Sequence, residues 1–155
     1  MTNSKQGELC IFMARIGLLE DNSRIAKLCV TMLNLAGHEV TLYERARECL
    51  NALFTAATAT NATQLLQESF KTSRPSLPVE VLILDLHLTD MNGFEVLHYL
   101  QAHPSTRSLP LIFCTAASDS EVQQALSIAP HACVVWKPFK LQALTSAISQ
   151  ALQSS

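Results

Sequence analysis

The sequence predicts an α/β domain, a doubly wound parallel sheet with helices on both faces. Short apolar runs alternate five times with stretches of helical periodicity, the pattern of repeated strand–helix units. Residues 79–84 form a near-continuous apolar run, as a central strand buried on both faces requires. Hydrophobic residues make up 48% of the chain but aromatics only 6%, so the apolar mass is Ala, Leu, Val and Ile, suited to helices stacked on a sheet. Right-handed crossovers then distribute the helices over both faces. A length of 155 residues allows one such domain with a substantial core.

Residues 1–12 read as a flexible lead-in, and the domain is expected to occupy 13–153. Residues 14–19 form a short apolar strand that stops at Glu20-Asp21-Asn22-Ser23, good helix N-cap chemistry. Ile25, Leu28, Cys29, Met32 and Leu35 follow helical spacing and predict one apolar face, with Gly37 as the C-cap. Residues 38–43 alternate as a brief strand, and 44–54 read as a helix. The Ala/Thr-rich stretch 55–63 opens an insertion at about 55–78 and fits either a weak continuation of that helix or a surface excursion. A helical pattern resumes at 64–71, and Pro75 and Pro78 mark a loop before the central run. Asp90-Met91-Asn92-Gly93 is turn chemistry ahead of a helix over 94–100. Residues 111–114 form a fourth strand. Ser118-Asp119-Ser120 can cap a helix that Pro130 ends, and 132–136 form the fifth strand. Leu141, Leu144, Ile148, Ala151 and Leu152 give a last amphipathic helix.

Composition excludes several classes. Net charge is −2 and the pI about 6.2, with cations scattered, so there is no basic footprint for nucleic acid, and no second domain for DNA binding is expected at this length. Cys10, Cys29, Cys49, Cys114 and Cys133 are odd in number, include no C-x-x-C pair and mostly sit in apolar runs, which reads as reduced core thiols in a cytoplasmic protein. No run reaches the ~20 apolar residues of a membrane span. Residues 9–19 are broken by Arg15 and end in an acidic pair, unlike a signal peptide.

In an open parallel sheet, ligands bind beyond the carboxyl ends of the strands. Glu20 and Asp21 follow the first apolar run, Asp85 the third, Thr115 the fourth and Lys137 the fifth. Carboxylates, a hydroxyl and an ammonium are thus predicted at one edge. Clustered carboxylates repel, and a hard cation such as Mg²⁺, which prefers oxygen ligands, would relieve them. An ionised Asp85 could then act as a nucleophile toward phosphorus, with Lys137 and Thr115 on the transferring oxygens. Singly, each residue also suits a plain structural role as cap, turn or surface charge. The argument lies in their joint placement.

These residues make the chain resemble the receiver domain of two-component response regulators. Four matches carry the resemblance, in the family's order: Leu18-Leu19-Glu20-Asp21-Asn22, Leu82-Ile83-Leu84-Asp85-Leu86 running on to Met91-Asn92-Gly93, Thr115-Ala116, and Lys137-Pro138-Phe139. The resemblance implies a flavodoxin-like sheet of order 2-1-3-4-5. It implies that Asp85 accepts a phosphoryl group from a sensor histidine kinase or a histidine phosphotransfer protein. Mg²⁺ would be held by Asp21, Asp85 and the backbone carbonyl of His87, with Glu20 acting through water. Thr115 and Lys137 would contact the phosphoryl group. Output would pass to a downstream protein target, and the fourth helix, fifth strand and fifth helix would offer a face for it or for a homodimer, with no nucleic acid or membrane involved.

Departures from the family pattern are as informative. Thr89 stands where Pro is frequent, Pro130-His131 where Gly-Ala often precedes the fifth strand, and Val134 at the switch position that usually carries an aromatic ring. A ring there moves inward as the Thr hydroxyl moves toward phosphate, and valine has none. A pseudo-receiver, a constitutive interaction module without phosphorylation switching, is therefore the alternative. His87, two residues past Asp85, either tunes phosphoryl lifetime or simply overlies the site. A dehalogenase-type phosphatase would carry a second Asp at that position, and its absence counts against that reading. His38, His98, His103 and His131 show no ligand spacing, Trp136 reads as a packing or interface residue, and Asp90 as a turn residue.

Overall fold

The computed structural model describes residues 13–64 and 77–154. Its strands are β1 (Arg15–Leu19), β2 (Glu39–Tyr43), β3 (Val81–Leu84), β4 (Leu111–Thr115) and β5 (Cys133–Trp136). Its helices are α1 (Ser23–Leu35), α2 (Ala46–Gln64), α3 (Gly93–Ala102), α4 (Asp119–Ile128) and α5 (Leu141–Gln153). The strands make one parallel sheet of order β2-β1-β3-β4-β5, as the resemblance implies.

Side-chain alternation on the strands splits the core into two layers. Leu82 and Leu84 of β3, with Phe113 of β4, face the side covered by α2, α3 and α4. Val81 and Ile83, with Ile112, Cys114 and Val135, face the side covered by α1 and α5. Both faces of β3 are buried, which is why its run lacks alternation. Glu80, the charged residue inside the predicted run, sits just before β3, where its carboxylate accepts the Arg15 N–H at 2.8 Å.

Local chemistry sets the boundaries. Asn22 caps α1 by accepting the N–H groups of Arg24 and Ile25, and Gly37 follows the helix at φ 90°, a backbone that L side chains rarely adopt. Ser118 and Glu121 form a capping box on α4. At Gly93, the first residue of α3, a Cβ would stand 2.6 Å from the Leu86 backbone, so only glycine lets this helix start so close to the loop after β3.

One expectation changes, and one open alternative is decided. The buried face of α1 is Ala26, Cys29 and Leu33, while Leu28 (55% exposed) and Leu35 (81%) point outward. The predicted stripe followed the larger apolar side chains, whereas contact with the sheet selects the face on which Ala26 permits close approach. The stretch 55–63 continues α2 as helix, since Ala has the highest helix propensity and no Gly or Pro interrupts it. The predicted helix at 64–71 falls almost entirely outside the described residues, as do Cys10 and residues 1–12.

Candidate functional site

The register of the sheet builds the site. Leu19 pairs with Leu84, so Glu20 and Asp85 leave neighbouring strands side by side. Thr115 pairs with Trp136, which puts Lys137 one step beyond it. The ladder continues past the strand ends: the Asp85 N–H donates to the Leu19 carbonyl at 3.2 Å and the Lys137 N–H to the Thr115 carbonyl at 3.0 Å. These backbone bonds hold the residues before any side chain interacts.

Asp85 is the hub. Its Oδ1 accepts the Thr115 hydroxyl at 3.0 Å and the His87 N–H at 3.1 Å, and its Oδ2 accepts Lys137 Nζ at 2.8 Å. Lys137 Nζ also donates to Glu20 Oε2 at 2.7 Å, while Glu20 Oε1 accepts the Asn22 N–H at 3.0 Å. The Thr115 hydroxyl oxygen accepts the Ala117 N–H at 3.1 Å, which fixes its proton toward Asp85. Glu20, Asp85 and Thr115 are buried, and Lys137 keeps only 12% of its side chain exposed. Desolvation pushes the Lys137 pKa down, but hydrogen bonds and charge from Asp85 and Glu20 outweigh it and hold the pKa above the ordinary lysine value. The ammonium is the counter-charge that lets two carboxylates share a buried edge.

Asp21 stands next to this group, but its Oδ2 accepts the Thr89 N–H at 2.8 Å. With Glu44, Arg45, Thr89 and Asp90 it lines an open cleft of about 420 Å³. The structure thus gathers Glu20, Asp85, Thr115 and Lys137, and places Asp21 and His87 at the rim. Among the described residues no three His, Cys, Asp or Glu side chains converge on one metal position. The donor set still suits Mg²⁺ in kind, because that ion takes one or two carboxylates and keeps several waters. Asp21, Asp85 and a backbone carbonyl are hard oxygen ligands of that sort.

Two features were missed by sequence reasoning or gain a role. Glu121 Oε1 lies 3.0 Å from His87 Nε2, and Glu121 Oε2 accepts the Ser118 N–H and hydroxyl. The His87 bond, followed by those from Ser118, pulls the Glu121 pKa down to about 2. The Ser-x-x-Glu pattern was a signal for the cap, but nothing local signals the contact with His87. Asp90 caps α2 from another loop, accepting the Ala46 and Arg47 N–H groups. Val134 pairs with Phe113 and packs half-buried against the α2–α4 layer, and Trp136 is 44% exposed on the edge strand.

Comparison with known proteins agrees with this architecture. The sequence model of the response regulator receiver domain matches residues 51–149, more than half of the chain. The transcriptional regulatory protein CreB of Escherichia coli K12 is 32% identical over 73% of this chain and 39% of its own length. A probable cyclic di-GMP phosphodiesterase of Vibrio cholerae is 30% identical over 50% of this chain and 18% of its own. The chain thus spans less than half the length of these curated relatives. Among solved structures, the chemotaxis protein CheY4 of Vibrio cholerae superposes with a TM-score of 0.67 at 20% identity, covering 91% of this chain and all of that one, a likeness of fold. No helix among the described residues is long and apolar enough to cross a membrane. The sheet order, the strand-end site and the family match together make this chain a member of the response regulator receiver family.

Proposed function

We propose that the chain is a phosphoacceptor in two-component signalling, with Asp85 receiving a phosphoryl group from a sensor histidine kinase or a histidine phosphotransfer protein. The observation that carries this reading is the Asp85 carboxylate, buried at the end of β3 and held by Lys137, Thr115 and the His87 amide. A carboxylate oxygen attacks phosphorus, an O–P bond forms, and the N–P bond to the donor imidazole breaks. The electron pair returns to that ring nitrogen, which takes up a proton. Lys137 follows the charge onto the phosphoryl oxygens, and the Thr115 hydroxyl donates to one of them. A magnesium ion held by Asp21, Asp85 and the His87 carbonyl, with Glu20 through water, would supply further charge neutralisation at those oxygens. Cytoplasmic location and output through a downstream protein partner belong to the same reading.

Beryllofluoride with Mg²⁺ mimics the acyl phosphate, and Trp136, next to Lys137 and partly exposed, is a fluorescence reporter for it. Saturable binding is expected in the wild type and none in Asp85→Asn. Equal binding by that variant removes Asp85 from the role. Val134 favours a second reading, a pseudo-receiver that binds its partner constitutively. Partner affinity that is the same with and without phosphorylation would select it.

A further inference from the structure

We infer that His87 and Glu121 form a clasp that reports the state of Asp85 to the first turn of α4. The inference rests on Asp85 being the phosphoacceptor. His87 belongs to the site at its backbone and to α4 at its ring: its N–H donates to Asp85 Oδ1 at 3.1 Å, and its Nε2 lies 3.0 Å from Glu121 Oε1. Glu121 divides its carboxylate. One oxygen meets His87, while the other closes the α4 capping box through Ser118. The path from Asp85 to the first turn of α4 therefore runs from one hydrogen bond at the His87 backbone, through the covalent frame of that residue, to a second at its ring.

Phosphorylation disturbs this path at its origin. Each Asp85 oxygen already accepts from the protein: Oδ1 from Thr115 and the His87 amide, Oδ2 from Lys137. Whichever oxygen takes the phosphoryl group loses charge and acceptor strength, so its donors re-aim at the new oxygens. New negative charge also appears at the mouth of the site, where the His87 side chain is 54% exposed. It competes with Glu121 for the imidazole N–H. The clasp opens, Glu121 keeps only its Ser118 bonds, and the start of α4 loosens. This route needs no aromatic ring on β5, which fits Val134 at that position.

The test is amide hydrogen exchange of residues 118–122, with and without beryllofluoride and Mg²⁺, in wild type, His87→Ala and His87→Gln. Both variants retain the Ser118 and Glu121 side chains that form the capping box, and glutamine can still donate to Glu121. Ligand uptake is followed in parallel by Trp136 fluorescence. We expect the wild type to exchange several-fold faster on binding, His87→Ala to be fast in both states, and His87→Gln to recover part of the wild-type response. Uptake with an identical α4 response in His87→Ala overturns the clasp alone. Absence of uptake by the wild type overturns the phosphoacceptor reading and the clasp with it.

Discussion

Lys137 is the residue on which the site's electrostatics turn. Its ammonium is hydrogen-bonded to both Glu20 and Asp85, all three nearly buried. Removing one partner of a buried ion pair typically costs 3–5 kcal/mol, because a charge is left without compensation. Lys137→Met is therefore expected to destabilise the fold by roughly 3 kcal/mol in denaturant titrations. Millimolar Mg²⁺ should restore part of that loss, since the cation replaces the missing charge. A loss that Mg²⁺ leaves untouched would assign Lys137 a packing role. The wild type has its own pH signature. The folded pKa of Lys137 lies above the unfolded value near 10.5, so its contribution is complete below that value and is lost as pH rises through the folded pKa. Unfolding midpoints should fall on that alkaline limb, and the fall should be weaker in Lys137→Met. Asp85, Thr115 and Lys137 were readable from sequence because each directly follows or ends an apolar run, where the strand-end rule applies. Glu121 was not, because its bond to His87 spans 34 residues and depends on how α4 leans over the loop after β3.

At the scale of elements, the loops after the strands both hold the site and start the helices. Asp90 shows this best, since it lies in the loop after β3 yet accepts the first free amides of α2. Losing an N-cap acceptor costs about 1 kcal/mol, and Asp90→Ala is expected to lower stability by that much and to speed exchange at the Ala46 and Arg47 amides selectively. A uniform change across the fold would argue against capping. A second anchor ties the start of β1, where the Ala14 N–H donates to His38 Nδ1 at 3.2 Å. That bond needs an unprotonated nitrogen, and burial lowers the His38 pKa below 6.5. The sign follows: the unfolded chain binds the proton more readily, so stability is complete above pH 6.5 and declines as pH falls through the folded pKa. His38→Asn should flatten that decline in thermal melts. Element type and order were legible because hydrophobic period separates strand from helix. The facing of α1 was not, because Leu28 and Leu35 match the helical period as well as Ala26 and Leu33 do, and only contact with β2 and α5 distinguishes them.

For the whole molecule, the sheet divides scaffold from chemistry. Ile83, fully buried in the α1–α5 layer, supports the strand whose next residue but one is Asp85. Ile83→Ala should cost about 2–5 kcal/mol, a large part of the ~5–15 kcal/mol that holds a domain folded. Asp85→Asn keeps the Lys137–Glu20 pair and removes only the acceptor chemistry, so its own stability should stay close to wild type. A ligand that binds only the folded state adds about 2.7 kcal/mol when present at 100 times its dissociation constant. Saturating beryllofluoride with Mg²⁺ should therefore raise the wild-type denaturation midpoint. It should raise that of Ile83→Ala by the same free-energy increment from a lower start, and leave that of Asp85→Asn unmoved. An increment that shrinks in Ile83→Ala would mean that the α1–α5 layer and the site are energetically coupled, and that the division between the strand interior and the strand end does not hold.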